Sequence, residues 1–224
     1  MKILGISGSP VKNSNTDRTI QLILEASGIE YEFIKLRDYK ISPCNACLCC
    51  VKTNKCIQKD DGNMLCEKVK NADAVVIGGY TPYSTLDSRT KTFLERLYPL
   101  RHTHGYMKNK PGIAVISSCV TKPSEILPPA AQMGINAIQF YMMEEGMNFL
   151  GSVVIEGNVP CIRCKKESIC EMTGIKMIYG KDATKESVGI HAIEDQSESL
   201  IEAKKLGKEL NYLLMNKNTL EQGG

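Results

Sequence analysis

Five short apolar runs, each bounded by turn-forming residues, leave this chain few architectures: residues 2–7 (KILGIS), 31–36 (YEFIKL), 74–79 (AVVIGG), 112–117 (GIAVIS) and 151–156 (GSVVIE). They draw on Ile and Val and lack strict apolar/polar alternation, the pattern of parallel strands buried on both faces. Helical patterns lie between them. Residues 17–27 carry Ile20, Ile23 and Leu24 on one side and end at Gly28, a helix-stopping position. A helix begins near Asp60, and residues 88–97 place Thr90, Phe93, Leu94 and Leu97 on one stripe with Leu86. A last long helix starts near Asp195, where Asp195 and Glu198 have capping-box spacing, and runs through Leu206, Leu210, Leu213 and Leu214. Strands alternating with helices predict an α/β fold, a doubly wound five-stranded parallel sheet in one domain over residues 1–224.

Two segments break the rhythm and are predicted to be inserted loops: residues 37–59 and residues 157–194, both rich in cysteine. The terminal TLEQGG reads as a frayed end. At 224 residues and 42% hydrophobic, the chain buries enough surface to fold without disulfides. The apolar stretch at the N-terminus is too short for a signal-peptide core, and no run is long enough to span a membrane. The expectation is a cytoplasmic protein, whose thiols stay reduced unless they hold metal or do redox chemistry. A net charge of +3, no Trp and four Phe speak against nucleic acid as a partner.

In open parallel sheets the ligand sits at the carboxyl ends of the strands. The loop after the first strand, GSPVKNSNT, has neither the three glycines of a dinucleotide fingerprint nor the Gly-Lys-Ser/Thr of a Walker loop. It offers hydroxyls and amides ahead of a helix, which can surround a phosphate monoester or can simply cap that helix. The segment after the third strand begins YTPYST, and the one after the fourth begins SSCVTKP, so three successive carboxyl-end loops are rich in small polar groups.

The stretch CNACLCCVKTNKC puts five of the ten cysteines inside thirteen residues. Cys44, Cys47, Cys50 and Cys56 stand at C-x2-C-x2-C-x5-C. Three thiolates two residues apart can wrap one compact cluster, whereas zinc ribbons usually separate their knuckles by a dozen or more residues. Polar residues interleave the thiols, which argues against plain core packing. Iron-sulfur therefore leads zinc. A later group, Cys161-x2-Cys164-x5-Cys170, repeats part of the spacing but gives three ligands where a closed site needs four. It is read as a second metal site, zinc or iron-sulfur, completed by Cys66, Cys119, His191 or another subunit. Otherwise Cys66 and Cys119 read as small buried hydrophobes, and His102 and His104 as exposed loop residues.

The layout resembles the flavodoxin-like FMN reductase family, in which GSP followed by Ser-Asn-Thr grips the FMN phosphate. That resemblance assigns Ser7, Ser9, Ser14, Asn15 and Thr16 to the phosphate. It places Thr81, Pro82, Tyr83, Ser84 and Thr85 beside the flavin ring, with Ser117 and Ser118 closing the other side. The cysteine spacing after the second strand resembles the iron-sulfur flavoprotein family of methanogens and other anaerobes. The implied cofactors are FMN and a [4Fe-4S] cluster on Cys44, Cys47, Cys50 and Cys56; Cys49 either replaces a neighbour as ligand or points away, the second being favoured because the family pattern is complete without it. The implied protein is a redox homo-oligomer, dimer or tetramer, taking electrons from ferredoxin or NAD(P)H, with cluster and flavin sharing one edge of the sheet.

Overall fold

The computed structural model describes residues 1–120, 127–166 and 169–221, with side chains through residue 216. The sheet is formed by β1 (Ile3–Ser7), β2 (Tyr31–Lys35), β3 (Ala74–Tyr80), β4 (Pro111–Ser117) and β5 (Asn148–Ile155). All pairings are parallel, in the order β2-β1-β3-β4-β5. This is the flavodoxin-like order, in which the chain reverses direction across the sheet between β1 and β3 and leaves a crevice at their carboxyl ends.

The strands are buried on both faces because their side chains alternate between two cores. Leu4, Ile6, Val75, Ile77, Ala114 and Ile116 face α2 (Gly62–Asn71), α3 (Ser88–Arg96) and α4 (Ala130–Glu144). Ile3, Val76, Ile113, Val115, Val153 and Ile155 face α1 (Asn15–Ser27) and α7 (Ser197–Glu221). Full burial of each such side chain stabilises the fold by roughly 1.5–3 kcal/mol before the entropy of ordering is subtracted. Helix α1 starts with a capping box between Ser14 and Asp17 and stops at Gly28, whose φ of 64° is the left-handed cap expected there.

Three features differ from the sequence reading. Helix α4 has no counterpart in it: Met133, Phe140 and Met143 are exposed on the outer side, so apolar residues occur all round and blur the period. Strand β5 begins three residues earlier than expected, and a register shift between Gly112 and Ile113 leaves Leu150 as an extra residue opposite them. Residues 157–194 are not a plain loop. They hold α5 (Gly174–Tyr179) and α6 (Lys185–Val188), organised around a small core of Val159, Ile162 and Ile175. Helix α7 begins at Ser197, after a 3-10 turn at Ile193–Asp195. Thr121, Lys122 and Pro123 of the fourth-strand loop and the final Gln222, Gly223 and Gly224 lie outside the described residues. Among the described residues no helix is long and apolar enough to cross a membrane.

Candidate functional site

A cavity of about 330 Å³ opens at the carboxyl ends of β1, β3 and β4. Ser9, Ser14, Asn15 and Thr16 line one end, Tyr80, Thr81, Pro82 and Ser117 the middle. The amides of Asn15 and Thr16, at the first two positions of α1, have no intrahelical acceptor by position, and the helix N-terminus favours a negative ligand. The glycine preceding this loop is dictated by packing. A Cβ on Gly8 would lie 1.8 Å from Thr90 Oγ1, inside the cap that Asp87 makes on α3.

The predicted phosphate residues divide into two groups. Ser9, Ser14, Asn15 and Thr16 line the cavity. Ser7 does not: it is fully buried, and its hydroxyl donates to Asp17 Oδ1 at 2.6 Å. Asp17 also accepts the Ser14 amide and pairs with Lys35, whose ammonium reaches the Val11 carbonyl at 2.6 Å. Ser7 and Asp17 thus fix the loop from beneath. Asn15 has a second engagement, donating to the His191 carbonyl at 2.6 Å and accepting the Ile193 amide at 3.3 Å. Of the residues assigned to the ring, Thr81, Pro82 and Ser117 line the cavity. Tyr83 and Ser84 adopt left-handed backbone at φ 50° and 61°, and Tyr83 stands wholly in solvent. Ser84, Thr85 and Ser118 are outside the lining. Ser118 is buried, its amide donating to the Ile155 carbonyl and its hydroxyl accepting from the Val120 amide.

Sequence reasoning missed the far wall. It comes from residues 157–194: Asn158, Val159, Pro160, Ile162, Arg163 and Ile190. Arg163 is the only charged side chain among the described lining residues. Cys119 lines the cavity too, in place of the buried role expected of it. Burial pushes its thiol up, and the neighbouring Cys161 adds to the rise.

The first cysteine group forms a separate cavity of about 370 Å³. Cys44, Cys47, Cys50 and Cys56 all line it, with Glu95, Arg96, Tyr98 and Pro99 from the end of α3 opposite; Cys49 does not. The Ala46 amide donates to Cys44 Sγ at 3.4 Å. Hydrogen bonds from the amide and thiol of Cys49 hold Cys47 below the ordinary thiol value, and burial raises Cys50. His102 Nε2 lies 3.4 Å from Cys50 Sγ, so one of the two set-aside histidines meets a thiol of this group. Among the described residues no three His, Cys, Asp or Glu side chains converge as a single-ion site. Four thiols spread round a cavity suit a group with one metal per thiolate better than one ion with every sulfur at about 2.3 Å.

The two cavities share no lining residue. The first sits where β3 ends, the second where α3 ends, and α3 is nine residues, about 13 Å, long. The expectation was one shared sheet edge; the first cavity takes Tyr80, Thr81 and Pro82 from the chain ahead of α3, the second Glu95 and Arg96 from its end.

In the second group, Cys161 is half-buried and accepts the Gly174 amide at 3.2 Å, while Cys164 and Cys170 are exposed. Of the suggested fourth ligands, Cys119 packs on the same small core as Cys161. His191 is engaged with Tyr179 at 3.2 Å, and Cys66 lies elsewhere, donating to the Arg96 carbonyl at 3.0 Å.

Comparison with known proteins gives a consistent picture. The family described as NADPH-dependent FMN reductase matches residues 1–145. An iron-sulfur flavoprotein of Archaeoglobus fulgidus is 33% identical over 56% of this chain and 59% of its own length. One from Methanocaldococcus jannaschii is 37% identical over 51% and 61%. A third, from Clostridioides difficile, is 27% identical over 80% and 79%. The matches to the first two thus span about 60% of those relatives. Among solved structures, an FMN-dependent NADH-azoreductase from Bacillus anthracis in complex with FMN has a TM-score of 0.62 at 11% identity, covering 94% of this chain and all of that one. An archaeal flavodoxin has a TM-score of 0.52 at 15% identity over 96% and 99%. These two likenesses concern the fold alone.

Proposed function

Because the chain belongs to the NADPH-dependent FMN reductase family, we propose that it is a flavin-dependent oxidoreductase with FMN in the β1/β3/β4 cavity and a [4Fe-4S] cluster on Cys44, Cys47, Cys50 and Cys56. The observation that carries the cluster reading is the selection the fold makes: four spaced thiols line one cavity, and the fifth, Cys49, is left out. The names of the curated relatives support it. For FMN, the fit rests on chemistry. Hydroxyls and helix-terminal amides at one end suit a phosphate, and the wall of Pro82, Val159, Ile162 and Ile190 suits a flat apolar ring.

Bound there, FMN supplies a ring that accepts one or two electrons, and the cluster a one-electron centre. The chain's own residues do the rest. Ser9, Ser14 and Thr16 hold the phosphate, Tyr80 to Pro82 set the ring's position, and the strap at 157–194 excludes water from its face. No side chain of the cavity is assigned as a proton donor. We take the donor to be ferredoxin, the acceptor being left open, and the assembly to be a homodimer or homotetramer. A second metal at Cys161, Cys164 and Cys170 belongs to the same reading. The alternative is an NAD(P)H-dependent FMN or quinone reductase with structural metal sites, favoured by Arg163 at the cavity wall, where a dinucleotide phosphate would pair with it.

Anaerobic purification with quantification of iron, labile sulfide, zinc and FMN tests the reading. About four iron and four sulfide with one FMN are expected for the first site; zinc without sulfide overturns the cluster. Stopped-flow bleaching of the flavin by reduced ferredoxin against NADPH separates the two donors. Cys50→Ala should strip iron from the first site while FMN stays bound, since the cavities share no residue. Loss of both cofactors would refute that independence.

A further inference from the structure

Arg96 is the largest fully buried side chain among the described residues, 2% exposed, at the end of α3. Its guanidinium donates from Nη1 to Asp60 Oδ2 (2.6 Å) and the Ser42 carbonyl (2.8 Å), and from Nη2 to Asp60 Oδ1 (2.8 Å). Asp60 is saturated, because it also accepts the amides of Ser42 and Gly62. Arg96 is not. A guanidinium has five N–H donors, and its Nε is buried with no acceptor. A Cβ on Gly62 would come within 2.5 Å of Nη2 and 2.8 Å of Cζ, so α2 must begin with glycine for the guanidinium to lie there. The same side chain lines the cavity of Cys44, Cys47, Cys50 and Cys56.

We propose that Arg96 does more than staple the two ends of the cysteine segment: its buried positive charge and spare N–H face the sulfurs of the cluster and set the cluster's reduction potential. This rests on the cluster reading above. Hydrogen bonds to the sulfurs and net local charge are two of the protein's levers on an iron-sulfur potential. Reduction adds one electron to the centre and moves no bond in Arg96, which stays protonated in both states. A fixed cation beside the centre favours the reduced form. Asp60 opposes it only partly, since four donors share its charge: two N–H groups of Arg96 and the amides of Ser42 and Gly62.

The test is a potentiometric titration followed by electron paramagnetic resonance on the full protein, with iron and sulfide assayed in every sample. Asp60→Asn with Arg96→Gln removes both charges of the pair while keeping an N–H···O contact between positions 60 and 96. Arg96→Lys keeps the charge but takes the N–H away from the sulfurs. The expected result is a midpoint more negative than that of the unaltered protein in the double variant, with the lysine variant between them. A midpoint unchanged in whichever variant retains its cluster overturns the proposal. Loss of iron from both variants with unchanged circular dichroism overturns it as well, leaving a stapling role alone. Absence of iron and sulfide from the unaltered protein is a different failure, that of the cluster reading itself, and is read before any variant is compared.

Discussion

At the scale of single residues, chemical type announced itself more reliably than role. Ten cysteines were legible, yet their environments divide them sharply. Cys66 is buried, donates to the Arg96 carbonyl, and has its thiol pushed up by burial to about 12. Alkylation of metal-free protein at about pH 8, where an ordinary thiol of pKa about 8.5 is partly thiolate, should label Cys44, Cys47 and Cys49 and spare Cys66; peptide mass mapping gives the order. Asp60 carries a pH dependence. The Arg96 hydrogen bonds, then backbone donors, hold its carboxyl far below the ordinary carboxylate range against the opposing effect of burial. A depressed folded-state value means that the stability it contributes is fully present above the unfolded value of about 3.9, and is lost as pH falls below that. Urea midpoints of Asp60→Asn should therefore lie below those of the unaltered protein near neutrality and converge with them in acid. A constant difference across that range would refute the linkage.

Elements were legible wherever one face or both were plainly apolar. All five strands follow from their Ile and Val, and the stop of α1 from Gly28. Helix α4 escaped because its apolar residues are not confined to the buried side, and the two short helices within 157–194 because six- and four-residue helices carry too few turns to show a period. The phosphate loop was read correctly as a loop, but the necessity of Gly8 lies in α3, more than eighty positions on. Gly8→Ala would drive a methyl into the Asp87–Thr90 cap. Its expected cost is roughly 1–3 kcal/mol, the range for overpacking a filled site, together with weakened FMN retention; denaturant unfolding and flavin fluorescence titration measure the two. Gly8→Ala with stability and flavin affinity both unchanged would show that the loop can yield.

At the scale of the whole molecule, the strap formed by residues 157–194 walls the cavity at the strand ends and is tied to α1 by contacts that span the chain. Asn15 meets the His191 carbonyl across 176 residues and Arg18 pairs with Glu194 at 3.0 Å, while inside the strap the Tyr179 hydroxyl donates to the Gly157 carbonyl at 2.5 Å. Asn15→Ala should loosen this closure, costing about 1 kcal/mol for the lost hydrogen bonds, with faster limited proteolysis within the strap. Unaltered cleavage rates would mean that the strap is held by its own small core. What the sequence determined by itself was local: the strand and helix pattern, the polar loops at the strand ends, and the spacing of the cysteines, because each is written in residues a few positions apart. Only the tertiary structure decided that Arg96 lines the cavity of the thiols and His102 meets Cys50, that Arg163 and Cys119 enter the cavity at the strand ends, and that the two cavities share no lining residue. Those facts depend on which segments the sheet order brings together, and no local periodicity encodes the meeting of side chains separated by tens to hundreds of residues.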